Sequence, residues 1–203
     1  MEMQGSRRLA ISQQQAWDAL NDPEVLKLCI PGCDKVEQTG DDQYAMSMAV
    51  RIGPVSARFN GKITLADVMP PNSYTLHFEG QGGAAGFGKG SARVALAPPA
   101  EGGGCELAYT AQAQVGGKIA QVGQRLVDGV AKSMAEDFFK RFDEEMQRRY
   151  PQAYAADAAL APQIEAAAAA DQLAAAAKGG GIPMWVWPAA AVAVLILYFV
   201  FGR

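Results

Sequence analysis

One histidine, His77, is all the imidazole in the 203 residues, and there are only three thiols, Cys29, Cys33 and Cys105. Cys29 and Cys33 are spaced C-x-x-x-C around Ile30-Pro31-Gly32 with no histidine near them, so Cys and His alone do not complete a four-ligand zinc site. They read as structural thiols beside a tight turn. His77 lies on the strand face opposite Tyr74, Leu76 and Phe78, with no nucleophile elbow around it, which argues against a Ser-His-Asp hydrolase. The net charge is −3 and no Lys/Arg run interleaves with aromatics, so no nucleic-acid partner is expected. Gly83 to Lys89 spells G-x-x-x-x-G-K, yet Gly90 stands where a phosphate-binding loop needs Ser or Thr. That segment also joins two strands, whereas phosphate cradling needs a following helix N-terminus. Met1 to Ala10 holds no apolar signal core, which together with the odd cysteine count points to a reducing, cytoplasmic compartment.

What is present is periodic. A short strand is expected around Arg8 to Ile11, then Ser12 opens a helix with Gln15 completing a capping box. Asp22 starts a second short helix with Pro23 at its first position, and Pro31-Gly32 ends it. From Asp34 to Val115 the apolar period changes from helical to two, with turns at Gly40-Asp41-Asp42, Gly53-Pro54 and Pro70-Pro71-Asn72. Six sequential strands joined by short turns predict an antiparallel meander.

Gly117 to Arg149 then reads as one long amphipathic helix marked by Leu126, Val130, Met134, Phe138, Phe142 and Met146. A four-residue march drifts around the helix, so its apolar stripe is broad and suits a curved partner surface such as a bent sheet. Glu136 with Lys140 and Asp137 with Arg141 are spaced for weak supporting pairs, and Phe139 falls off the stripe as a candidate contact surface. Residues 150–181 are rich in Ala, Gly and Pro and predict a linker. Residues 182–201 carry no charge, with Trp185 and Trp187 at the start and Tyr198 near the end, which predicts a single transmembrane anchor. The expected organisation is therefore a domain over 1–149, the linker, and the membrane span.

The strand faces bearing Tyr44, Met46, Met48, Phe59, Ile63, Phe78 and Tyr109 look toward the closing helix. They either fill a core or wall a cavity; the methionines and the small residues Ala57, Gly61 and Ala113 suit a cavity for an apolar ligand. The candidate ligand-lining residues are Met46, Met48, Phe59, Ile63, Phe78 and Tyr109 of the sheet, Phe87 of the glycine loop, and Leu126 and Val130 of the helix.

The order of elements resembles the helix-grip fold of the START and pollen-allergen superfamily. Within it, Asp22-Pro23, Cys29-Ile30-Pro31-Gly32-Cys33, the loop Gly80 to Gly90, and the stretch from Gly116 to Gly129 resemble the carbon monoxide dehydrogenase G-subunit family over roughly residues 1–147. The resemblance implies an α+β helix-grip domain whose curved antiparallel sheet wraps a long C-terminal helix. It also implies a non-catalytic accessory role that brings a cytoplasmic molybdenum hydroxylase to the inner face of the membrane. A lipophilic quinone or other lipid in the cavity is implied as ligand, with no covalent cofactor and no catalytic or metal-binding residue carried over. The alternative is a lipid or quinone carrier that works without an enzyme partner.

Overall fold

The computed structural model describes residues 1–99 and 103–160. The predicted membrane span and most of the predicted linker lie outside the described residues. Seven strands form one antiparallel sheet in the order β1-β7-β6-β5-β4-β3-β2. They are β1 (Glu2–Leu9), β2 (Cys33–Gly40), β3 (Gln43–Ile52), β4 (Val55–Met69), β5 (Ser73–Gln81), β6 (Phe87–Ala97) and β7 (Cys105–Gly116). Between β1 and β2 lie α1 (Gln13–Leu20) and α2 (Pro23–Cys29), a single 3-10 turn (Gly83–Ala85) precedes β6, and α3 (Lys118–Gln121) and α4 (Gln124–Arg149) follow β7. This is the α+β, helix-grip arrangement that the resemblance implies, with the six-strand meander β2–β7 that the alternation predicts. The first strand, however, runs Glu2–Leu9 rather than around Arg8 to Ile11, pairing with β7 from Glu2↔Gln112 to Leu9↔Cys105. Its inward side offers only Met3, Gly5, Arg7 and Leu9, too thin an apolar signal to be read locally; the ladder to β7 makes it a strand.

The caps follow the sequence. Ser12 Oγ accepts from the Gln15 N–H while the Gln15 side chain accepts from the Ser12 N–H at 3.0 Å, closing the capping box of α1. Asp22 Oδ1 accepts the Glu24 N–H at 2.9 Å at the start of α2. α1 buries Ala16, Trp17, Ala19 and Leu20, and the Trp17 ring meets Tyr74 edge-on with centroids 5.5 Å apart. Ile11, Val25, Leu107, Phe142 and Met146 are fully buried in the same core, which gathers α1, α2 and the end of α4 on the sheet. A second, smaller cluster of Ile52, Ala85, Ile119 and Val127 sits where the β3–β4, β5–β6 and β7–α3 connections meet.

The closing helix is not continuous. α3 stops at Gln121 and α4 begins at Gln124, with Gly123 between them at φ +96, a conformation that side chains resist. Within α4 the four-residue march drifts about 40° per step, which carries Leu126 off the inner face and leaves Val127 on it. Val127 is buried at 4% exposure, whereas Leu126, predicted to cover the cavity, is 41% exposed. Nor is Phe139 a free contact surface: its ring packs against Tyr109 at 5.5 Å and Phe138 at 5.3 Å, and the Arg7 guanidinium lies 5.6 Å from its centroid. The predicted pairs Glu136–Lys140 and Asp137–Arg141 are not among the ion pairs of the described residues, where Glu145 instead binds Arg148 and Arg149.

Helical turns also resume over 151–160, past the expected domain limit of 149. Pro151 cannot donate to the preceding turn, so the chain bends at Tyr150 and the new turns fold back. Ala153 and Tyr154 pack on the main core, Tyr154 Oη donates to Asp143, and Arg8 donates to Asp157 at 2.6 Å.

Arg149 ties two ends of the core together, donating to Asp22 Oδ2 at 2.9 Å and to Glu145 Oε1 at 2.7 Å. Hydrogen bonds from Arg148 and Arg149 pull the Glu145 carboxyl from its ordinary 4.5 down to about 2. Because the folded value is lowered, this stabilisation is complete above pH 4.5 and fades as pH falls from 4.5 toward 2. The arginines keep much of their surface in water, so Glu145→Gln is expected to cost about 1 kcal/mol at neutral pH. Chemical denaturation at stepped pH should show the variant and the parent converging as pH drops through that window.

Candidate functional site

Register decides what faces the helix. Residues opposite one another in an antiparallel sheet share a face, and alternate residues of one strand do too. The pairs Met46↔Gly61, Gly61↔Gly80, Gly80↔Gly88 and Gly88↔Val115 therefore form one inward row across five strands, of which three members have no side chain. The next row, Tyr44, Ile63, Phe78, Gly90 and Ala113, is also small toward β6 and β7. Bare peptide at the centre of the inner face leaves space that α4 does not fill.

That space is a cavity of about 270 Å³ with an almost wholly apolar wall. Met46, Met48, Val50, Ile52, Phe59 and Phe78 supply the sheet side, and Ile119, Val127, Val130 and Met134 supply the helix side. Small-molecule pockets span about 300–1,000 Å³, so this one falls just below that range. Lys62, Glu79 and Lys89 also border it, but they alternate with the floor glycines and are exposed on the opposite face of the sheet. A recess of about 350 Å³ shares Met1, Ala113, Gln114, Val115 and Val127 with the cavity and adds Ala120 and Gln124. The recess adjoins the cavity between β7 and the α3–α4 junction.

Of the candidate lining residues, Met46, Met48, Phe59, Phe78 and Val130 meet around this cavity. Ile63 faces inward but in the row beside Tyr44, short of the cavity. Tyr109 also faces inward, one end further along, where it packs on Phe139. Phe87 points the other way: Gly88 and Gly90 hold the inward positions, and the Phe87 ring lies over the backbone of Gly116. Leu126 sits outside, 2.9 Å from where a Cβ on Gly53 would stand. Met134 and Gly61, both marked by the sequence pattern, also line the wall, and Val127, Ala131, Gly80 and Gly88 complete it without having been marked. Strand parity alone would have turned Phe87 outward and Gly80 and Gly88 inward, and the drift of a four-residue march would have moved the helix contact from Leu126 to Val127.

His77 stands on the outer face between Thr64 and Ser91, in an open polar recess of about 940 Å³ with Lys62, Glu79, Lys89 and Gln112. The thiols do not form a reactive centre. Burial and the nearby Glu145 carboxylate push Cys29 up to about 11, and burial also raises Cys33 and Cys105. Among the described residues, no three His, Cys, Asp or Glu side chains converge to hold a metal ion.

Residues 5–147 match the family described as the G subunit of carbon monoxide dehydrogenase (CoxG). The chain belongs to this family. This CoxG family member is also similar to a conserved protein from Geobacillus kaustophilus, at 35% identity and a TM-score of 0.68, covering 73% of this chain and 96% of the other. A Thermus thermophilus protein shares the fold at 15% identity and a TM-score of 0.56, covering 73% of this chain and 99% of its own. So does the Zhui aromatase/cyclase of a Streptomyces species, at 12% identity and 0.55, covering 73% and 94%. A search of curated proteins found no match.

Two pairs of substitutions test this geometry. A Cβ on Gly88 would stand 4.0 Å from the nearest side-chain atom, Val115 Cγ1, whereas one on Gly90 would run into the Gln112 carbonyl. Gly88→Ala is expected to leave stability unchanged or raise it by about 0.5–1 kcal/mol, while Gly90→Ala unfolds the domain at a lower temperature. Leu126→Asp should melt within a few degrees of the parent, whereas Val127→Asp buries an unpaired charge and should cost about 2–4 kcal/mol. Thermal melts followed by circular dichroism read all four.

Proposed function

We propose that this CoxG family member is a non-catalytic, membrane-anchored accessory protein that holds a lipophilic ligand, a quinone or another lipid, in its cavity. In the same role it recruits a cytoplasmic molybdenum hydroxylase of the carbon monoxide dehydrogenase type to the inner membrane. The observation that carries the ligand reading is the apolar cavity of about 270 Å³, floored by Gly61, Gly80 and Gly88 and covered by Val127, Val130 and Met134. A sheet that needed only a solid core would present side chains there. Non-catalytic action is supported by the wall itself, since its inward side chains include no acid, base or nucleophile. Recruitment rests on the family's name as a carbon monoxide dehydrogenase subunit, and anchoring rests on the uncharged stretch 182–201.

Native mass spectrometry of the detergent-extracted full chain is expected to show one hydrophobic small molecule per chain. Gly88→Leu, which pushes a side chain into the cavity from a site with room for its Cβ, should retain the fold and lose that mass. A mass that persists in the plugged protein sinks the cavity as its site. Truncation after Leu160, which keeps the turns over 151–160 on the core, should move the chain and its enzyme partner together into the soluble fraction. A partner that stays on the membrane defeats recruitment, and a stoichiometric ligand with no enzyme attached leaves the stand-alone carrier.

A further inference from the structure

The end of the domain that closes the cavity is built from three connections: Arg51 to Ala57 between β3 and β4, Gly82 to Gly88 around the 3-10 turn, and Gly116 to Val127 from β7 into α4. They meet on the cluster of Ile52, Ala85, Ile119 and Val127. Their charged residues are Arg51, Lys118 and Arg125, with no Asp or Glu among them, although the whole chain carries net charge −3. Arg51 is held at this rim by its hydrogen bond to the Gly53 carbonyl at 3.5 Å, and Arg58, further along β4, is taken up by Asp34. Two of the four large apolar side chains that the described residues expose, Leu126 at 41% and Phe87 at 40%, belong to the same connections. Both are propped outward by glycine: Leu126 rests against Gly53 and the Phe87 ring lies over Gly116.

From this juxtaposition we propose that the cavity-closing end docks on an anionic lipid surface. Leu126 and Phe87 enter the headgroup boundary, and Arg51, Lys118 and Arg125 face lipid phosphates. The nearest acid in sequence, the exposed Asp128, accepts from Gln124 Nε2 at 2.6 Å, so three cations against one acid surround the apolar tips, which complements an anionic lipid surface. Docking here sets the recess between β7 and the α3–α4 junction beside the bilayer, so a lipophilic molecule passes between membrane and cavity without crossing water. The docking rests on the proposed ligand only for its purpose; its geometry stands apart.

The test uses the full chain in vesicles, with an environment-sensitive fluorophore on Leu126→Cys or Phe87→Cys in a Cys33→Ser background, and Leu28→Cys as control. Leu28 is exposed on α2, which packs near the far end of α4, about 30 Å along the helix from Leu126. In phosphatidylglycerol-containing vesicles the probes at 126 and 87 are expected to shift to the blue and to be quenched by brominated lipid. The probe at 28 should stay aqueous. Each reversal among Arg51→Glu, Lys118→Glu and Arg125→Glu should lower the docked fraction's equilibrium constant about fivefold, and raised salt should do the same. Probes that remain aqueous, that shift equally in pure phosphatidylcholine, or that shift without lipid quenching because protein covers them would each overturn the proposal. Loss of the ligand mass with the probe response intact removes the ligand reading alone; the reverse result removes docking alone.

Discussion

Everything distinctive about this domain depends on the register that lines up Gly61, Gly80 and Gly88 across β4, β5 and β6. In a helix-on-sheet fold the inward side chains of the strands and the apolar stripe of the helix normally interdigitate to crystal-like density. Here the strands supply peptide where side chains belong, and α4 spans the gap on Val127, Val130 and Met134 rather than entering it. The backbone groups of the floor are already bonded within the ladder, so the space offers an apolar occupant contact without free polar groups. Methionines at 46, 48 and 134 line it with flexible, polarisable side chains that adapt to more than one shape.

The open space is tolerated because stability is concentrated elsewhere. Phe142, Met146, Ile11, Leu107 and Val25 are fully buried at the α1–α2 end, each contributing about 1.5–3 kcal/mol of transfer free energy. The Asp22–Arg149–Glu145 network pins the end of α4 to the start of α2 in the same region. The other end relies on a small cluster, a four-residue helix and a helix start with no side-chain cap. Few buried contacts and exposed backbone are the features of a segment that opens locally before the molecule unfolds. The domain thus joins a rigid core at one end to a yielding rim at the other.

Membership of the CoxG family and the shared fold with an aromatase/cyclase lead to different expectations about chemistry. Fold alone does not choose between them, because function resides in the side chains a fold presents. The cavity wall presents thioethers, aromatic rings and aliphatic groups. The side chains of Lys62, His77, Glu79 and Lys89 point to the opposite face.

Much of this was legible from the chain alone, because the deciding interactions are short. The capping box at Ser12 and Gln15, the Asp22-Pro23 start and the two-residue alternation through the meander involve neighbours a few positions apart, and all of them appear in the structure. The family resemblance rested on equally local stretches, and residues 5–147 bear it out. Five of the nine candidate lining residues, Met46, Met48, Phe59, Phe78 and Val130, meet at one cavity for the same reason, since parity along a strand or stripe carries them there. What only the tertiary structure decided depends on pairings between distant parts of the chain. β1 exists through β7, the glycine row through two strand registers, and the return of 151–160 through Arg8 and Asp143. Leu126 lies outside and Val127 inside because a four-residue march drifts about 40° per step, and packing on the sheet fixes which side of α4 is the inner one.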